Sequence, residues 1–244
     1  MDIKIIHFYP DLMSLYGSYA NMSILRRHLE DLGNTVAVES VDYGQPADIA
    51  GADFLYMGAG TERSQKAALK DFSRLGEAIR SAAADGTAML FAGTAMELLG
   101  QSVTDRDGTV FPGIGLADFT SVQSGKRILG DVYGATPLYD SAVVGYMNKC
   151  AVISGVETPL LSSLSMGFGN EAAGGPEGYH QNNVFASELT GPLLVKNPLM
   201  LGAVIAAIYR RRGAELPEHI PAYPFEERGY AITAQQPRLR WEKQ

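Results

Sequence analysis

The chain holds a single cysteine, Cys150, in 244 residues. One thiol cannot build an internal disulfide framework, and it rules out most cysteine-based metal sites. A lone free thiol fits a reducing, cytoplasmic setting. Positive charge is also scarce, with 20 Lys and Arg against 27 Asp and Glu and a formal net charge of -7. Binding to nucleic acid through its phosphates needs a positive footprint, so no nucleic-acid partner is expected. No apolar run approaches the roughly 20 residues of a spanning helix, which predicts no transmembrane segment. The opening residues lack a charged stretch followed by an apolar core, so no signal peptide is expected. There is no internal repeat and no Walker A glycine loop.

What is present suits a large α/β domain. Apolar residues make up 46% of the chain, enough for a sizeable core. Lys4 to Tyr9 reads as a short apolar strand stopped by Pro10. Met22, Leu25, Leu29 and Leu32 stripe a helix over about Tyr19 to Leu32, ended by Gly33-Asn34. Thr35 to Val41 and Asp53 to Met57 read as strands, the second followed by the turn Gly58-Ala59-Gly60-Thr61. Leu69, Phe72, Leu75 and Ile79 predict a long helix from about Gln65 to Ala84. Thr87 to Phe91 is a further strand, and Ala95 to Leu99 a short helix. This alternation predicts a central, mostly parallel sheet with helices on both faces. Ligands in such sheets sit at the carboxyl ends of the strands, here near Pro10, Gly58 and Gly93.

The following stretch is richer in glycine. It predicts a β-rich insertion built from Phe119 to Val122, Arg127 to Tyr133, Ala142 to Met147 and Leu164 to Phe168, with Asn183 to Ser187 returning to the core. Asn170 to Gly178 reads as an exposed, flexible connector. The last helix carries the stripe Leu201, Val204, Ile205 and Ile208. Asn197 is its expected cap, Pro198 occupies its first turn, and Arg210, Arg211 and Arg212 complement the dipole before Gly213. Residues 1–213 are expected to form a single domain, and residues 214–244, with four prolines, an extended tail.

Several segments resemble the cobyric-acid-synthase-like class I glutamine amidotransferases, in particular the GatD branch. They are His7 to Asn21, Met57 to Gln65, Gly108 to Phe119, Arg127 to Asp131 and Asn182 to Pro198, in order and at plausible spacings. The resemblance implies a class I glutamine amidotransferase-like fold. In that family a cysteine on a strand-to-helix elbow attacks the glutamine amide. A histidine serves as base and acid, and backbone N–H groups hold the oxyanion. It also implies a MurT-like Mur-ligase-family partner and a role in amidating the peptidoglycan precursor lipid II. No cofactor and no metal is expected.

The chemical groups themselves are missing. Phe91 to Gly100 aligns on the elbow, and Gly93 stands at the position of the family cysteine. Thr94, Ala95 and Glu97 replace two glycines and a glutamine. Thr190 falls on the family histidine, and Met147-Asn148-Lys149 on a Glu-Asn-His stretch. The resemblance assigns the glutamine carboxylate to Arg127, and Gly58, Gly60 and Gly93 are expected to offer N–H groups to glutamine or glutamate. The expectation is a pseudoenzyme. The alternatives are an active amidotransferase with a non-standard nucleophile, such as Thr94 with His7, Glu97 or Glu188, and a sensor for glutamine or glutamate. His7 reads as a strand-end residue, His28 as solvent-facing, and Cys150 as a small buried residue. His180 precedes the returning strand, and His219 lies in the tail.

Overall fold

The computed structural model describes residues 1–218, 220–221 and 223–241, with residues 236–241 described by backbone alone. Six strands form the first sheet: β1 (Asp2–Phe8), β2 (Thr35–Val41), β3 (Phe54–Met57), β4 (Ala88–Ala92), β10 (Tyr179–Gln181) and β11 (Val184–Ser187). Their order is β10-β11-β4-β3-β1-β2, and every pairing is parallel except β10 with β11. The β1, β3, β4 and β11 side chains alternate between two cores, as a period of two demands. Phe8, Met57, Phe91 and Ala186 pack with Leu69, Phe72 and Ile79 from α2 (Glu62–Phe72) and α3 (Gly76–Ala84). Ile3, Ile5, Phe54, Tyr56, Leu90 and Phe185 pack on the other face. There they meet Leu25 and Leu29 of α1 (Tyr19–Asp31) and Leu201, Val204 and Ile208 of α5 (Pro198–Arg211). The parallel sheet with helices on both faces is therefore present. Burial on both faces explains why its strands read as unbroken apolar runs.

The β-rich insertion is a second sheet of β5 (Ser102–Thr104), β6 (Val110–Pro112), β7 (Thr120–Thr136), β8 (Tyr139–Ser154), β9 (Ser163–Met166) and β12 (Leu189–Thr190). The pieces expected over Phe119 to Met147 are two long strands, β7 and β8. They form a hairpin running from Thr120 opposite Ser154 to Thr136 opposite Tyr139. Gly130 pairs in register with Met147, while the ladder shifts register between Gln123 and Ile128, around Gly125, and again after Gly134. The helix expected over Gln65 to Ala84 is divided by a 3-10 turn at Ser73–Leu75.

Four further expectations need correction. Asn197 stands at the start of α5, but its side chain makes no cap. It bridges to β8, accepting from Val144 N and donating to Val144 O, both at 2.8 Å. The Asn170–Gly178 segment is exposed only in its middle. Asn170 and Glu177 are buried at 4% and 0%, because Asn170 pairs with the Gly178 backbone and Glu177 accepts from Glu188 N. His28 faces inward, 2% exposed, because a later segment covers it. That segment is α6 (Pro224–Trp241), which replaces the extended tail. Pro224 begins this helix, where its missing N–H does no harm, and Glu226 and Glu227 follow in the first turn. His219 lies outside the described residues. A short α4 (Leu193–Lys196) links β12 to α5.

Candidate functional site: an occupied elbow beside a basic cleft

At the end of β4 the chain turns sharply through Gly93, whose φ of +62° suits glycine, into a wholly buried 3-10 segment, Gly93–Leu99. The loop after β3 faces this turn. A Cβ on Gly93 would lie 2.6 Å from Ala59 Cβ and 3.7 Å from Thr190 Cγ2. Gly93 and Thr190, far apart in sequence, thus meet across the end of the sheet. Gly93 has no side chain to react. Thr190, 5% exposed, donates its hydroxyl to Tyr146 O at 3.0 Å.

Gly58 and Gly60 lie against the loop after β1. A Cβ on Gly58 would strike Ser18 and the Met13 carbonyl, and one on Gly60 would strike Met13. Their lack of side chains therefore serves close packing as well as the turn. The expectation of a free Gly60 N–H is corrected. Thr94 Oγ1 accepts that N–H at 3.0 Å and donates to Gly60 O at 3.0 Å. Ser18 Oγ accepts Ala59 N at 3.3 Å, and Gln65 donates to Thr94 O at 2.7 Å. The glycine turn is held closed by hydroxyls of the protein itself.

Arg127 on β7 lines a cleft of about 730 Å³ between α2 and the second sheet. It donates to Glu62 Oε1 at 2.6 Å and to Asn148 Oδ1 at 2.8 Å. Asn148 in turn donates to Tyr16 Oη at 2.8 Å. Burial opposes charge on Glu62, but hydrogen bonds from its own backbone, from Arg127 and from Cys150 hold the carboxyl below its usual range. Burial and then the Glu62 charge push the Cys150 thiol up to about 12, so it stays protonated and unreactive.

Behind the elbow lies a polar core. Glu97, 1% exposed, accepts from Ser121 Oγ at 2.5 Å and Gln123 Nε2 at 2.9 Å. Gln123 also donates to Gln65 Oε1 at 2.8 Å. Lys149 is buried in an ion pair with Glu188 and donates to Gly169 O at 2.8 Å. Burial raises the Glu97 carboxyl, takes Glu177 to about 7, and raises Glu188 against the pull of Lys149. His7 packs on Tyr56, with ring centroids 5.1 Å apart, and burial lowers it to about 4. Its Nε2 is buried with no hydrogen-bond partner among the described residues. No hydrogen bond among the described residues joins Thr94 to a histidine or a carboxylate.

Sequence reasoning missed the buried Lys149 and, apart from Arg127, the cations of the cleft. For the cleft a signal was present, since Arg63, Lys66 and Lys70 recur at helical spacing. For Lys149 there was none, because its partners come from distant segments. Among the described residues, no group of three or more His, Cys, Asp or Glu side chains is placed to hold a metal ion. No helix among them is long and apolar enough to cross a membrane.

The model of the CobB/CobQ-like glutamine amidotransferase domain matches residues 4–198. The lipid II isoglutaminyl synthase (glutamine-hydrolyzing) subunit GatD of Staphylococcus aureus (strain N315) is 26% identical over 216 residues, covering 87% of this chain and 86% of that one. The subunit of the same name from Streptococcus pneumoniae (strain ATCC BAA-255 / R6) is 29% identical over 226 residues, covering 91% and 85%. Among solved structures, the glutaminase domain of Trypanosoma brucei CTPS with bound acivicin aligns at a TM-score of 0.46 and 12% identity, over 91% of this chain and 98% of that one. The family match spans most of the chain, both layers of the fold and the elbow: this protein belongs to the CobB/CobQ-like glutamine amidotransferase domain family.

Proposed function

We propose that this chain is a GatD-like subunit of a lipid II isoglutaminyl synthase, working in the cytoplasm beside a MurT-like Mur-ligase-family protein, and that it does not itself hydrolyse glutamine. The two GatD relatives, each aligned over more than four-fifths of both chains, support the pathway. The chemistry supports the loss of hydrolysis. Cleaving a side-chain amide this way needs a nucleophile, a base beside it and N–H donors aimed at the developing oxyanion. Gly93 and Thr190 stand where the resemblance puts the first two. Loss of a hydrolase nucleophile alone costs on the order of a millionfold in rate.

The observation that carries the reading is the Thr94 hydroxyl seated on the Gly60 N–H at 3.0 Å. A donor already paired inside the protein does not receive an oxyanion. The same bond speaks against Thr94 as a replacement nucleophile, because its proton is held by a carbonyl and no base adjoins it. The test is ammonia release from glutamine by the purified protein, alone and with its Mur-ligase-like partner. No release above background together with a stable complex is expected. Release at rates typical of glutaminases would overturn the reading.

A second reading, binding of glutamine or glutamate without turnover, draws on Arg127, which is 41% exposed at the rim of the cleft. Glu62 and Asn148 already occupy its fork, so a ligand carboxylate would have to displace them. Calorimetry with glutamate separates the readings, since heat that disappears in Arg127→Ala would establish a binding role.

A further inference from the structure

The charge of the cleft runs against that of the molecule. The chain as a whole carries -7. The cleft gathers Arg63, Lys66, Lys70, Arg106 and Arg127 against two acids, Glu62 and Asp105. Those acids are already matched. Glu62 pairs with Arg127 at 2.6 Å, and Asp105 with Lys66 at 2.5 Å. The Lys66 hydrogen bond, with that of the Arg106 backbone N–H, holds Asp105 below the usual carboxylate range, so its charge is fully committed. Arg63, Lys70 and Arg106 make no ion pair among the described residues, and all three are exposed. A concave wall with three cations outside those two ion pairs concentrates small anions whatever the net charge of the chain.

The dimensions restrict the ligand further. Glu62, Arg63, Lys66 and Lys70 all line the cleft from one helix, α2. At 1.5 Å per residue, the path from Glu62 to Lys70 is about 12 Å long. That is longer than one amino acid, so glutamine at Arg127 would leave the Lys70 end empty. The volume of about 730 Å³ lies within the range of small-molecule sites. Phe111 on β6 supplies a half-exposed aromatic wall, with Lys66 Nζ 5.9 Å from its ring centroid. The cleft thus combines several cations suited to phosphate oxygens with a flat apolar surface suited to a planar base.

We infer that this cleft binds a nucleoside di- or triphosphate, with the phosphates on Arg63, Lys70 and Arg106 and the base against Phe111. The inference does not depend on whether the chain hydrolyses glutamine. Its ligand is small rather than polymeric, because a nucleic acid would also run over the acidic surface outside the cleft.

The test is calorimetric titration of the full chain with ATP, ADP, AMP and inorganic pyrophosphate at physiological ionic strength. ATP and ADP are expected to bind, with AMP roughly tenfold weaker because it places one phosphate where several cations wait. Lys70→Glu/Arg106→Glu should weaken ATP by roughly tenfold or more, and Arg63→Glu alone by a smaller factor. These side chains are exposed and make no ion pair among the described residues, so the melting temperature should change little. Phe111→Ala should weaken ATP and leave pyrophosphate as it was. Absence of heat with every compound at millimolar concentration, or ATP binding that survives the charge reversals, would overturn the site. Pyrophosphate binding as tightly as ATP in both parent and Phe111→Ala would overturn the nucleoside assignment. Ammonia release has no bearing on any of these outcomes.

Discussion

At the scale of single residues, the elbow at Gly93 is closely packed and the facing glycine turn is hydrogen-bonded within the protein. Placing a thiol at Gly93 brings a Cβ to 2.6 Å from Ala59 Cβ, at a φ of +62°. Close contact and a left-handed backbone together cost about 1–3 kcal/mol. Gly93→Cys/Thr190→His is therefore expected to be destabilised and to release no ammonia. Adding Ala59→Gly removes the contact, and Thr94→Gly frees the Gly60 N–H. If any of these variants gains activity, it should be the one carrying all four changes, measured as ammonia from glutamine. Activity in the double variant alone would show that Ala59 and Thr94 do not obstruct the site. Gly93, Thr94 and Thr190 were singled out in the sequence only through the resemblance. That Thr94 fills a hydrogen-bonding position was not legible there, because its partner Gly60 lies on a separate loop.

At the level of elements, the C-terminal helix α6 is the largest surprise. Its prolines suggested an extended path, yet Pro224 sits where a helix tolerates it best. The helix is anchored by Glu226, 7% exposed, which pairs with His28 at 3.1 Å, while Tyr223 packs edge-on to the His28 ring at 5.0 Å. Further along, Tyr230 donates to Ala142 O at 2.7 Å. Over residues 224–235 the helix is otherwise mostly solvent-facing. Glu226→Ala should loosen α6 locally by about 1–3 kcal/mol, because a buried polar partner is left unmatched. Hydrogen exchange over residues 224–235 should accelerate while β1, β3 and β4 keep their protection. Equal acceleration throughout would mean that α6 is part of the cooperative core.

The molecule as a whole carries acids where water does not reach. Burial raises Glu97 and Glu188 and takes Glu177 from 4.5 to about 7. Over those intervals the folded chain keeps protons that the unfolded chain has lost, so stability falls as pH rises. His7, lowered by burial from 6.5 to about 4, acts in the opposite sense and removes stability as pH falls through that interval. Burial also lowers His180. Between pH 6.5 and 8 the carboxyls dominate, and the denaturant midpoint should decrease. Glu177→Gln keeps the shape of the side chain without its titration. Its stability relative to the parent should rise by up to about 3 kcal/mol between pH 4.5 and 8. A difference that stays flat across that range would show that Glu177 does not titrate as a buried acid.

The sequence by itself determined the layered α/β architecture, because the signals for it are local: apolar strand runs, helical stripes, and the glycines and prolines that stop them. It also displayed the family frame, and, by resemblance, Gly93 and Thr190 at the positions expected to hold a cysteine and a histidine, since both are matters of order along the chain. Only the tertiary structure decided what surrounds those positions. Gly93 meets Thr190, Thr94 closes on Gly60, Lys149 finds Glu188, and Glu226 covers His28 through contacts between segments remote in sequence. Such contacts depend on how layers pack, and a local pattern carries no record of its distant partner. The cleft arises in the same way, where one basic face of α2 meets the second sheet.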